Sequence, residues 1–82
     1  MSARILVVED EEALTTLLRY NLDAEGYDVE TVARGDEADT RLKERVPDLI
    51  VLDWMLPGLS GIELCRRLRA RPETRQLPII ML

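Results

Sequence analysis

The chain has 82 residues, a formal charge of −5, 46% hydrophobic and 33% charged residues, which is the profile of one small globular unit and not of a disordered segment. The acidic balance argues against nucleic acid or an anionic membrane as a partner of this chain, and no apolar stretch approaches the roughly 20 residues of a spanning helix. With no histidine and a single cysteine, Cys65, histidine-based triads, most zinc sites and an internal disulfide are excluded, and a reducing cytoplasm is the expected location.

The N-terminal "MSARILVVEDEE" carries one basic residue, a short apolar run and then acid, which is not a signal peptide. Residues 4–8, "RILVV", form an apolar run of strand length. Residues 11–25 place Leu14, Leu17, Leu18 and Leu22 at helical spacing, with acidic residues in the first turn and Gly26 as a stop. Residues 27–32, "YDVETV", alternate as a strand does. Residues 35–45 predict an exposed helix whose thin apolar stripe is Ala38, Leu42 and Val46, ended by Pro47. Residues 48–53, "DLIVLD", are a second buried strand, followed by a turn at Pro57-Gly58. Ser60 with Glu63 opens a helix bearing Ile62, Leu64, Cys65 and Leu68. A loop over 71–76 leads to a last apolar strand, 77–82. The order βαβαβαβ, with short connections and apolar strands, predicts a doubly wound parallel α/β sheet.

Ligands of such sheets sit beyond the C-terminal ends of the strands. There the first strand delivers Glu9 and Asp10, and the third delivers Asp53. If those strands are neighbours, three carboxylates converge, and their mutual repulsion calls for a cation. Oxygen ligands alone suit Mg²⁺, commonly shared with a phosphate. An aspartate so placed can also be a nucleophile toward phosphorus. Asp53 stands alone, whereas Glu9 and Asp10 are paired, so Asp53 is the candidate nucleophile. The competing structural reading makes Asp10 or Glu11 a cap of the first helix.

"ILVVEDEE" before a leucine-rich helix, together with "PDLIVLDWMLPGLSGIELCRRLR", resembles the receiver domain of two-component response regulators along the whole chain. Within that family the phosphate-regulon type of winged-helix transcription factor is the most similar. The resemblance implies a flavodoxin-like topology. It implies that Asp53 accepts a phosphoryl group from a sensor histidine kinase. It also implies that Mg²⁺ is held by Glu9, Asp10, Asp53 and the backbone carbonyl of Met55, beside a loop shaped by Pro57 and Gly58. The family pattern continues past Leu82 with a Thr or Ser, then a helix, a strand ending in Lys and a final helix. Residues 1–82 are therefore expected to be the N-terminal portion of one receiver domain. They would lack the last helix-strand-helix, two phosphoryl-contacting groups and any DNA-binding domain, with impaired phosphoryl chemistry as the result. The strand at 77–82 would be an open apolar edge, which predicts a homo-oligomer built on it.

Two rival functions fit less well. A phosphatase with an aspartyl nucleophile carries a general acid two residues later, where this chain has Met55. A nucleotide-binding domain needs a glycine-rich turn after the first strand, and "VVEDEEA" has none. Trp54 adjoins the cluster, either as its reporter or as ordinary packing. Cys65 is expected in the core, the arginines of "RRLRARPETR" (66–75) at a solvated helix end, and Leu56, Pro57 and Leu59 in turn packing or a docking patch.

Overall fold

The computed structural model describes residues 2–82. Its elements are β1 (Arg4–Val8), α1 (Glu12–Ala24), β2 (Asp28–Val32), α2 (Gly35–Glu44), β3 (Leu49–Leu52), α3 (Gly61–Ala70) and β4 (Ile79–Met81). All strand pairings are parallel, in the order β2-β1-β3-β4. Val8 lies opposite both Val32 and Leu52, so the three strands end level with one another. That is the doubly wound, flavodoxin-like arrangement expected from the element order. No helix among the described residues is long and apolar enough to cross a membrane.

The alternation of strand side chains divides the core in two. Leu6, Val8, Val32, Ile50 and Leu52 point to one face and pack with Ala38 and Leu42 of α2 and with Leu64 and Leu68 of α3. Ile5, Val7, Val29 and Val51 point to the other face and meet Leu18 and Leu22 of α1. The second layer is the thinner one, because α1 buries none of its residues fully. Leu17, expected on the packed side of α1, is 57% exposed. It lies one position ahead of Leu18, about 100° around the helix. Val46 also departs from expectation: α2 ends at Glu44, and Val46 sits exposed beyond it. The outer edge of β4 has no strand partner among the described residues, and Ile80 is half exposed there.

The basic run 66–75 is solvated at Arg66, Arg67, Arg69 and Arg75, as expected, yet several of its arginines are tied back onto the fold. Asp39, on the inner side of α2, is 5% exposed. It accepts hydrogen bonds from Arg67 at 3.1 Å and Arg71 at 2.6 Å. Arg69 donates to the carbonyls of Arg75 and Leu77, each at 2.8 Å, and of Thr74 at 3.3 Å. The hydroxyl of Thr74, itself buried, donates to the carbonyl of Leu68 at 2.6 Å. Arginine suits these positions because its planar fork satisfies several acceptors at once. Burial pushes the Asp39 carboxyl upward, but the Arg71 and Arg67 guanidiniums overcome it and hold it below the ordinary carboxylate value of 3.8.

Asp39→Ala should therefore destabilise the fold by about 1–3 kcal/mol in urea unfolding, the range for a charged, largely buried hydrogen-bonded acceptor. Lys43→Ala should change it by less than about 0.5 kcal/mol, since the ammonium is 61% exposed and 3.7 Å from Asp39. The folded-state carboxyl is lowered, so the contribution of Asp39 is present above its ordinary pKa of 3.8 and is lost as pH falls through the folded value. The gap between parent and Asp39→Ala should close on acidification.

Candidate functional site

The hydrogen-bond ladder runs one residue past the strand ends. The Glu9 amide donates to the Val32 carbonyl at 3.1 Å, and the Asp53 amide donates to the Val8 carbonyl at 3.0 Å. Both backbones are thereby fixed before their side chains are considered. Carboxylate oxygens of Glu9, Asp10 and Asp53 then lie within 4.8 Å of one another. The sequence places these residues on two strand ends, and the register brings them together.

The three environments differ. Glu9 is buried, Asp53 is half-buried and Asp10 is exposed. One Glu9 carboxylate oxygen accepts the Asp10 amide at 3.2 Å. The Thr15 hydroxyl braces the same turn from α1, with the carbonyls of Glu9 and Glu11 at 3.3 and 3.1 Å. Burial first, and then the Asp53 carboxylate alongside, push the Glu9 carboxyl up to about 7 from its ordinary 4.5. The capping alternative fails for Glu11: it occupies the N-cap of α1 yet makes no side-chain bond to the helix. A groove beside the cluster is also lined by Glu12 and Glu37. Glu37 carries no local signal in the sequence, since it reaches the groove only through the packing of α2.

The connection from Asp53 to α3 is a built loop. Ser60 caps α3 by accepting the Glu63 amide at 3.1 Å. Glu63 itself pairs with Arg66 and Arg67. The Gly61 amide donates to the Trp54 carbonyl at 2.8 Å, and a Cβ at Gly61 would stand 2.9 Å from the Asp53 carbonyl carbon. Gly58 takes φ +82°, which a side chain disfavours. Leu56 and Leu59 pack against the core, Trp54 is 54% exposed and Met55 82% exposed. Trp54 is thus not core packing: it is half exposed, directly after Asp53 in the chain. Cys65 is half-buried against the core, as expected.

The donor set fits a hard divalent cation. It offers oxygen only, on two rigid strand ends, with one exposed carboxylate on the open side. Without a cation the cluster carries a pH signature. The folded pKa of Glu9 is raised, so the unfolded chain releases this proton first. Stability should then fall as pH rises from 4.5 to about 7. Chemical unfolding in chelator across that window should show a loss of roughly 1–3 kcal/mol assignable to this group. Glu9→Gln should flatten the slope. An unchanged slope would mean that Glu9 ionises freely.

Residues 5–82 match the family described as the response regulator receiver domain. The chain is 73% identical over its full length to the phosphate regulon transcriptional regulatory protein PhoB of Rhizobium meliloti, covering 36% of that protein. It is 52% identical to the alkaline phosphatase synthesis transcriptional regulatory protein PhoP of Bacillus subtilis, again over the whole chain and 33% of the relative. The chain thus spans about a third of the length of these curated relatives. Among solved structures, the receiver domain of sensor histidine kinase PA1611 from Pseudomonas aeruginosa superposes with a TM-score of 0.94 at 34% identity. That match covers 99% of this chain and 66% of the other, which was solved with a magnesium ion coordinated in its active-site cleft. By fold, by sequence and by the extent of the match, this chain belongs to the response regulator receiver domain family.

Proposed function

We propose that this chain is the phosphoacceptor part of a two-component response regulator, with Asp53 as the residue phosphorylated. The observation that carries the reading is the convergence of Glu9, Asp10 and Asp53 within 4.8 Å at the ends of neighbouring parallel strands. Glu9, Asp10 and Asp53, with the Met55 backbone carbonyl, would hold Mg²⁺. The bound ion would supply the positive charge that offsets these carboxylates and draws in phosphoryl oxygens. The magnesium reported in the PA1611 receiver domain supports that assignment.

Among the acids, Asp53 is the suitable nucleophile. The Glu9 carboxyl, pushed up to about 7, is half protonated near neutrality before a cation binds. Asp10 sits on the open side, where a ligand role suits it better. A carboxylate oxygen of Asp53 attacks the phosphorus of a phosphohistidine on the partner kinase. The new P–O bond forms as the P–N bond breaks, and the imidazole nitrogen leaves with the electron pair. The product is an acyl phosphate on Asp53. The residue two positions on is Met55, which cannot donate a proton to promote hydrolysis. The phosphoryl group is therefore kept as a signal, which makes the chain a switch and not a turnover enzyme. The whole protein would act in the cytoplasm, and the resemblance to PhoB and PhoP points to transcription as its output.

Incubation with a small acyl-phosphate donor and Mg²⁺, followed by intact-mass and peptide mass spectrometry, tests this. Whatever the rate of labelling, the label should map to Asp53, be labile to hydroxylamine, and vanish in chelator and in Asp53→Asn. Labelling that survives Asp53→Asn would overturn the assignment. Asp10→Asn should retain the fold and lose the Mg²⁺-dependent change in Trp54 fluorescence.

A further inference from the structure

We infer that Gly35, at the first position of α2, is a positioning residue for the site loop. Its task is to fix where the Met55 carbonyl points. The inference rests on the metal reading given above.

The loop from Trp54 to Ser60 is mostly exposed and needs external anchors to hold one shape. Ahead of Ser60, whose carbonyl opens α3 by accepting the Leu64 amide, two of its carbonyls are held from outside the loop. The Trp54 carbonyl accepts the Gly61 amide at 2.8 Å, and the Pro57 carbonyl accepts the Gly35 amide and, within the loop, the Leu59 amide, each at 3.0 Å. Met55 and Leu56 lie between these points. The first anchor is internal to the loop–helix unit. The second comes from a different part of the chain, and it is the Gly35 amide that supplies it. The first amides of a helix have no partner within it, and α2 has no side-chain cap. One unmet need therefore answers the other: the helix start gains an acceptor and the loop gains a fixed donor.

Close approach is what makes this possible. Gly35 is buried. A Cβ there would overlap the Leu59 carbonyl oxygen and lie 2.7 Å from its carbon. The obstacle is backbone, so no side-chain rotation relieves it. The neighbouring Arg34–Asp36 pair, 3.0 Å apart, continues the wall. A Cβ at Gly58 would come within 2.6 Å of the Asp36 carboxyl carbon. One turn beyond Gly35, α2 is tied to α3 through Asp39, Arg67 and Arg71. Helix α2 therefore cannot simply retreat when its start is crowded. Any extra atom at position 35 must displace the loop.

The test uses Gly35→Ala, with Leu42→Ala as a core control two turns further along α2 and Arg34→Ala as a milder loosening of the corner. Two readouts are taken on folded protein: the Mg²⁺ midpoint from Trp54 fluorescence, and amide exchange by NMR in chelator. Gly35→Ala should weaken Mg²⁺ about tenfold, the scale of residues that orient a metal ligand without touching the metal. It should also speed exchange at residues 35 and 59 while β1 and β3 stay protected. Leu42→Ala should lower the melting temperature without moving the midpoint. Arg34→Ala should weaken Mg²⁺ measurably but by less than the roughly tenfold of Gly35→Ala, and it decides the matter if Gly35→Ala does not fold. Unchanged midpoint and unchanged exchange in Gly35→Ala, or in Arg34→Ala where that variant decides, overturn the proposal. If the parent shows no saturable Mg²⁺ response, the metal reading is what fails. The exchange data then judge the anchoring alone, and unchanged exchange overturns that as well.

Discussion

The parallel register of β1 against β3 governs the rest of the molecule. Val8 faces Leu52, so the residues that follow, Glu9 and Asp53, leave the sheet side by side. A slip of one residue would send either side chain to the opposite face and dissolve the cluster. The register is held by the core itself. Leu6, Val8, Ile50 and Leu52 must face α2 and α3, while Ile5, Val7 and Val51 must face α1. The apolar alternation that stabilises the domain is thus also what aligns the acids.

Placing carboxylates together works against folding, and the molecule absorbs that cost locally. Burial and the neighbouring Asp53 push the Glu9 carboxyl up to about 7, while Asp10 is exposed to water. The loop beyond Asp53 is supported on its far side by α2, and α2 is bound to α3 by the Asp39 pairs with Arg67 and Arg71. Packing, ion pairing and loop shape form one connected support behind a site whose front is open.

Much of this was legible in the sequence, because local pattern carries it. The apolar runs "RILVV" and "LIVL" mark β1 and β3, and the carboxylates follow them directly. Ser60 and Glu63 mark the start of α3. Strand ends were overdrawn by a residue or two. Tyr27, Asp48, Asp53, Leu77, Pro78 and Leu82 continue the pattern but lie outside the strands. What the sequence concealed was long-range. Asp39 lies 28 and 32 positions from the arginines it meets, and nothing near either partner announces the other. Inside an otherwise charged helix a buried aspartate looks like its exposed neighbours. Gly35 was equally silent. A glycine at the start of a helix suggests flexibility, and only the packed loop reveals that the absence of a side chain is the requirement.

The three carbonyls gathered by Arg69 bear on how the chain assembles. The turn between α3 and β4 is shaped by a side chain that the helix presents, together with the Thr74 hydroxyl that returns to the Leu68 carbonyl. Neither contact exists until the last turn of α3 is wound. Residues 74–77 are held against the end of α3, and that placement presents β4 to β3. The contacts that deliver β4 are short in sequence, which favours their speed. They also bind the segment that leads into β4 to α3 by hydrogen bonds as well as by the chain.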